Sequence, residues 1–348
     1  MRIEIINFPY RNYSYTQWLL FGFFSLEKEK TLSINKPSFF KLKKKLFKII
    51  NKGSNDYFFV FDVIRKKKRT RVVYDFSDTP FLFNEKWLED CDFYFKAQFP
   101  KGLESGFFSV EDLFEYRYPH FVMRNKNKIK PSLIGIRNLG NNIDFDNMRK
   151  KYISIIKSST MNKNIKDKFF IYFGSDQYDE RVFKDNYYDE GFFYSELSDK
   201  KSHPNKFRGD VVRWFQSDKN SCCYLGSESI GNYISLSEYH SKLSRYHYNI
   251  NVSGFRYSIP NRFMDSFITN TRVLTDNLYI KWYVDFSDYV YEYGEVGYKK
   301  QSDLDKKLIY KRIECADKYF EERDNNINKF FNDYLSPKAF AKYILSHC

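Results

Sequence analysis

The sequence is short of cysteine, of histidine and of long apolar runs, and each shortage removes a class of explanation. Its cysteines, Cys91, Cys222, Cys223, Cys315 and Cys348, are odd in number and form no CxxC pair. Neither a disulfide framework nor a zinc site is therefore indicated. His120, His203 and His347 stand alone, and His240 and His247 lie too far apart in sequence to make a metal pair without further ligands. No stretch approaches the ~18–20 apolar residues that span a bilayer. The opening MRIEIINFP reads as a first strand rather than a signal peptide, so the expected location is the cytoplasm, free or peripheral at a membrane face. Internal repeats and low-complexity tails are also missing.

What the chain holds in quantity is aromatic carbon and positive charge. Its 30 Tyr and 37 Phe supply much of the material for burial, and the formal net charge is +14. Such an excess attracts nucleic acid, anionic lipid or phosphorylated substrates without choosing among them. A length of 348 residues is enough for two domains, each with its own core.

The most informative stretch runs from Tyr248 to Asp276. Tyr248, Ile250 and Val252 alternate with Asn249, Asn251 and Ser253, the period of a strand. Ser253-Gly254 breaks the pattern, because glycine tolerates the φ > 0 of a tight turn. Ser258 is a suitable N-cap and Pro260 a tolerated first-turn residue. The helix that follows has Ile259, Phe263, Phe267 and Ile268 on one apolar face, and Thr271 to Thr275 reads as a second strand. A glycine turn feeding a helix N-terminus attracts anions, since free N–H groups and the helix dipole act together. Arg256, Tyr257, Ser258 and Arg262 furnish this one. Arg262 and Asp265 share a helical face, a guanidinium for phosphate beside a carboxylate for sugar hydroxyls.

In Gly254, Tyr257, Ser258, Arg262, Asp265 and Val273-Leu274-Thr275-Asp276 the stretch resembles the donor-binding segment of GT-B-fold glycosyltransferases, bacterial and viral enzymes that build surface polysaccharides. It departs from them at Asn270, where glycine is common, and at Asp265, which replaces the more usual Glu. Asn is the next best residue at φ > 0. The resemblance implies a metal-independent enzyme that moves a sugar from a nucleotide-diphosphate donor to a glycan or glycolipid acceptor.

The rest of the chain reads in the same direction. Strand and helix alternate from Ile3, through Trp18–Leu26, Thr31–Ile34, Tyr57–Ile64 and Arg71–Tyr74, to a helix at Asn84–Cys91 and a strand at Phe93–Ala97. Residues 101–165 are less periodic and hold the expected connection, with a short helix at Arg149–Ser158. A second alternation starts at Lys168. Its first strand ends in Gly174-Ser175, a turn able to approach donor phosphates, and the helix Arg208–Gln216 offers Arg208. The strand at Cys222–Leu225 and the helix at Tyr233–Tyr246 lead back to Tyr248. The expected fold is therefore α/β: two Rossmann-like domains facing a cleft, residues 1–150 on the acceptor side and 165–325 on the donor side. A C-terminal helix over 326–348 would return to the first domain.

Asp75 and Asp78, in VVYDFSDTP, end a strand where the resemblance puts the acceptor side of the cleft. An inverting transfer needs a base for the attacking hydroxyl, and Asp78 is the first candidate with Asp75 in reserve. A cap before Pro80 is the plainer role for Asp78. Residues 41–52, KLKKKLFKIINK, form a basic amphipathic segment suited either to an anionic membrane face or to core packing with a solvated basic side. The run Arg65–Arg69 reads as an exposed connection. Two alternatives stay open: a metal-dependent GT-A-type enzyme built on Asp144 and Asp146, and a non-enzymatic protein binding nucleic acid through 41–52 and 65–71. The principal reading has no metal and no nucleic-acid partner.

Overall fold

The structure, a computed structural model, describes residues 1–9, 12–36, 57–110, 114–136, 139, 143–160, 168–174, 221–225, 235–251, 258–292 and 326–348. The basic segment 41–52 and the helix expected at 208–216 lie outside the described residues.

The N-terminal part supplies strands β1 (Arg2–Asn7), β2 (Ser33–Asn35), β3 (Phe58–Arg65), β4 (Lys68–Asp75) and β5 (Phe93–Lys96). The short β6 (Phe99–Pro100), the hairpin β7 (Phe107–Val110) and β8 (Phe114–Arg117), and β9 (Ile129–Pro131) follow. Six of these form one sheet in the order β2-β1-β3-β4-β5-β9. Its flanks are parallel, but β3 runs antiparallel to both β1 and β4. The expected Rossmann-like sheet is therefore corrected here to a mixed sheet. Only two residues, Lys66 and Lys67, separate β3 from β4, too few for the crossover that a parallel pair requires. The region after residue 101 also contributes β9 to this sheet, where no period was legible, because strands of two to four residues are too short to display one.

Alternation along the central strands decides what covers each face. Phe59, Phe61, Val63, Val72 and Tyr74 belong to the main core with helix α1 (Gln17–Lys28). Val60, Val73 and Tyr94 point to a second core under α2 (Glu85–Asp90), α3 (His120–Arg124) and the β7–β8 hairpin. Helix α1 is buried nearly all round, from Trp18 to Phe24, because it lies between the sheet, α4 (Phe145–Thr160) and the C-terminal helix.

The second sheet is wholly parallel. It comprises β10 (Lys168–Gly174), β11 (Ser221–Leu225), β12 (Tyr246–Ile250), β13 (Arg272–Thr275) and β15 (Val290–Glu292), in the order β11-β10-β12-β13-β15. This is the 2-1-3-4-5 order of a doubly wound sheet, which binds ligands outside the strand C-termini where the order reverses. Helices α5 (Leu236–Leu243) and α6 (Arg262–Ile268) connect its strands. Ser235 caps α5 by accepting from Glu238 N at 3.1 Å. Helix α6 closes in a Schellman turn, Thr271 N donating to Ser266 O and Asn270 N to Phe267 O. Asn270 takes a φ of +56° there, the left-handed conformation that glycine or asparagine adopts most readily.

The helix α7 (Pro337–Ser346), capped by Ser336, lies along α1. Trp18 Nε1 donates to Leu335 O at 3.0 Å just ahead of it, and Tyr343 donates to Pro131 O at 2.8 Å. The two helices meet at Gly22, where an added Cβ would stand 2.0 Å from Pro337 O and 2.8 Å from Ala341 Cβ. Gly22→Ala should therefore push α7 off α1 and lower unfolding stability by about 1–3 kcal/mol. Urea denaturation measures it; an unchanged midpoint would mean that α7 slides at no cost.

Candidate functional site

Beyond the C-terminal end of β5 the first half of the chain meets the segment that leads into α6, and one amide side chain makes the junction. Gln98, fully buried two residues after β5, donates from Nε2 to Ile259 O and accepts from Ile259 N, both at 2.9 Å. Both backbone groups of Ile259 are thus taken by a side chain from the first sheet. Asn261 Nδ2 donates to Gly135 O at 2.5 Å. β14 (Ile280–Lys281) pairs antiparallel with β6, and Lys101 N donates to Tyr279 O at 2.9 Å. Residues 98–101 therefore hold two separate segments of the second half.

This seam explains why α6 starts late. The sequence places an N-cap at Ser258, yet the helix begins at Arg262 after Asn261. With Ile259 N and O paired to Gln98, the backbone of Ile259 cannot enter the helical ladder, whose first bonds run from Phe263 N to Pro260 O and from Asp265 N to Asn261 O. Ser258 is instead buried beside the seam, and the apolar positions Ile259, Phe263, Phe267 and Ile268 are all in the core. Arg262 is half-buried at the first turn of α6. Asp265 is buried, with its Oδ1 2.9 Å from His240 Nε2 on α5. Burial, then the nearby Asp265 charge, hold the Tyr239 phenol well above the usual tyrosine range. The sugar-binding role expected of Asp265 meets a carboxylate already engaged by His240.

Gly174 closes β10 beside Leu225 of β11, on the C-terminal edge of the parallel sheet. On the same edge Asn251 Nδ2 donates to Thr275 Oγ1 at 3.0 Å, which donates to Asp276 Oδ1 at 2.9 Å. Ser175, Arg208, Gly254, Arg256 and Tyr257 lie outside the described residues.

Across the seam, Asp75 ends β4 and is fully buried. Its Oδ2 accepts from Lys96 Nζ at 2.7 Å and from Tyr94 at 2.8 Å. Its Oδ1 accepts from Ser77 N at 2.9 Å and Ser77 Oγ at 2.6 Å. Four donors occupy this carboxylate, so the role expected of Asp75, a base in reserve, meets a side chain engaged within its own turn and strand. Lys96 is equally buried and also reaches Ser77 Oγ at 3.2 Å. Burial pushes its ammonium below the usual lysine range, while Asp75 pulls it back. Asp78, by contrast, is exposed in the turn that Asp75 and Ser77 shape, within electrostatic reach of Lys96.

Asp144 is engaged at the start of α4, where its Oδ1 accepts from Asn147 N at 2.9 Å and its Oδ2 from Asn147 Nδ2 at 2.5 Å. Asp146 sits in the first turn of that helix and Phe145 stacks on Phe21. The Asp-x-Asp is thus a helix start. Among the described residues no group of three or more His, Cys, Asp and Glu side chains is placed to hold a metal ion. Among them, too, no helix is long and apolar enough to cross a membrane.

Lys96, Gln98 and His240 are the residues that pattern reading did not assign to this region. Lys96 had a signal, a lone charge closing the otherwise apolar strand FYFK. Gln98 had none, because its partner lies 161 residues away.

No protein-family model matches the chain, and no curated protein matches its sequence. Among solved structures it is similar to a chain of the GtfA/B complex, at a TM-score of 0.29 and 9% identity. That likeness covers 82% of this chain and 64% of the other, so this chain spans under two thirds of its neighbour's length. At that TM-score the likeness carries no argument.

Two substitutions test the seam. Lys96→Ala strands a buried carboxylate and should cost about 3–5 kcal/mol, whereas Asp75→Asn with Lys96→Met, which removes both charges, should recover most of it in urea denaturation. Gln98→Ala leaves two buried backbone groups unpaired, a loss on the order of 2–4 kcal/mol. Its local signature is faster hydrogen exchange at the Ile259 amide; unchanged protection there would show that the junction does not rest on Gln98.

Proposed function

We propose that the chain is a glycosyltransferase that moves a sugar from a nucleotide-diphosphate donor to a glycan or glycolipid acceptor without a metal ion. In this reading residues 1–150 form the acceptor side and 165–325 the donor side. The observation that carries it is the seam itself. The C-terminal edge of a parallel sheet in doubly wound order, the place where such sheets take nucleotides, is joined through Gln98 and Ile259 to the strand ends that carry Asp78.

The chemistry divides between the two flanks. Asp78 takes the proton of the attacking hydroxyl, a task open to an exposed carboxylate beyond the end of β4. The acceptor oxygen bonds to the anomeric carbon as that carbon's bond to the donor phosphate breaks. Arg262 meets the charge developing on the departing diphosphate, the kind of stabilisation that often dominates group transfer. Gly174, Ser175, Arg208, Gly254, Arg256, Tyr257 and Ser258 complete the donor contacts in this proposal. Asp265 is given a positioning role, because His240 already holds its carboxylate and through it the helix that bears Arg262.

A thermal-shift series with nucleoside diphosphates and their sugars, with Mn²⁺ and with EDTA, tests the reading. A ligand at a hundred times its Kd stabilises the native state by about 2.7 kcal/mol. The expected shift survives EDTA and is lost in Arg262→Ala. Asp78→Asn should keep the shift while sugar transfer falls by about 10²–10⁴-fold. Absence of any shift in folded protein sinks the proposal, and a shift that requires Mn²⁺ sinks its metal-independence.

A further inference from the structure

The far end of the first sheet carries a feature that the seam does not use. β3 and β4 are paired without interruption from Phe58↔Asp75 to Arg65↔Lys68, and the turn between them is Lys66-Lys67. Both residues have left-handed backbones, with φ of +44° and +70°. A two-residue hairpin turn of this hand ordinarily takes Asn-Gly, because side chains with a Cβ are strained there. Lysine at both positions therefore sacrifices hairpin stability, and both side chains are exposed, so packing does not return it.

The five residues Arg65–Arg69 are all exposed cations. The outer two have partners within the fold: Arg65 donates to Leu345 O at 3.3 Å and Arg69 pairs with Asp62 at 2.5 Å. Lys66, Lys67 and Lys68 pair with no acidic side chain of the described residues. Three ammonium groups are thus carried on this tip with no acidic partner among the described residues.

We propose that this tip is a docking point for an anionic lipid surface. A convex tip of lysines suits a layer of phosphate headgroups, since lysine ammonium groups are compact point charges on flexible stems without the directional fork of arginine. It carries no aromatic side chain on which a base would stack. Met1, one of the exposed apolar residues, lies against it, its sulfur 3.2 Å from Arg65 Nε, and adds an apolar group that can enter the headgroup layer. β4 runs from this tip to Asp75, so a bilayer at the tip lies at the opposite end of the strand from the seam and leaves the seam open to its ligands. The proposal is independent of the glycosyltransferase reading and of residues 41–52.

Sedimentation with vesicles of phosphatidylcholine alone, and of phosphatidylcholine with an equal amount of phosphatidylglycerol, tests it on the full chain. Binding is expected to the anionic vesicles only and to weaken with salt. Lys66→Asn with Lys67→Gly should raise the Tm, by relieving the turn, and still reduce vesicle partitioning roughly thirtyfold, since each lysine near such a surface contributes about a factor of five. Lys66→Glu, Lys67→Glu and Lys68→Glu together should abolish it. Equal binding by the wild type and these variants overturns the proposal, as does a lower Tm in the Asn-Gly variant. Binding to single-stranded DNA without uptake by anionic vesicles overturns it in favour of a polynucleotide partner.

Discussion

The molecule turns on one reciprocal pair of hydrogen bonds, between the side-chain amide of Gln98 and the peptide of Ile259. A primary amide offers a donor and an acceptor side by side, so it can complete a backbone segment as a neighbouring strand would. With Ile259 held in this way, the chain cannot begin its helix until Arg262, and the first turn of that helix is set directly beside the strand ends of the other sheet. The pairing of β6 with β14 repeats the grip a few residues further on. The Gln98–Ile259 contact is buried, where an unmade hydrogen bond is expensive.

Around that junction, acidic side chains divide by their surroundings. Asp75 and Asp265 are buried and engaged, the first by Lys96, Tyr94 and Ser77, the second by His240. Each shapes backbone that carries a more exposed charge: Asp75 forms the turn that presents Asp78, and Asp265 steadies the helix that begins with Arg262. An ion pair such as Asp75–Lys96 adds little net stability over apolar residues of the same size, yet it is costly to break singly. Its effect is therefore to fix one arrangement of the turn.

Much of the architecture was legible in the pattern of residues. The apolar face of Ile259, Phe263, Phe267 and Ile268 is in the core, Asn270 adopts the left-handed conformation assigned to it, and the strands at Phe58–Arg65 and Lys68–Asp75 fall within a few residues of their expected ends. The mixed direction of the first sheet was less legible, although the two-residue spacing between β3 and β4 already forbids a parallel crossover. The Asp-x-Asp at 144–146 shows how little a short motif specifies: the same residue types that could ligate a metal also start a helix, where Asp144 accepts from Asn147.

By itself the sequence determined what depends on near neighbours: which segments alternate, which faces are apolar, where the backbone turns, and how much charge the surface carries. Tertiary structure alone decided what depends on distant partners. What engages the carboxylates of Asp75 and Asp265, and where the helix at Arg262 begins, is settled by groups such as Lys96, Gln98 and His240. These act across separations of 21, 161 and 25 positions in the sequence. Local periodicity arises from the geometry of consecutive residues and carries no record of such encounters, because a hydrogen bond between remote side chains leaves no spacing to read.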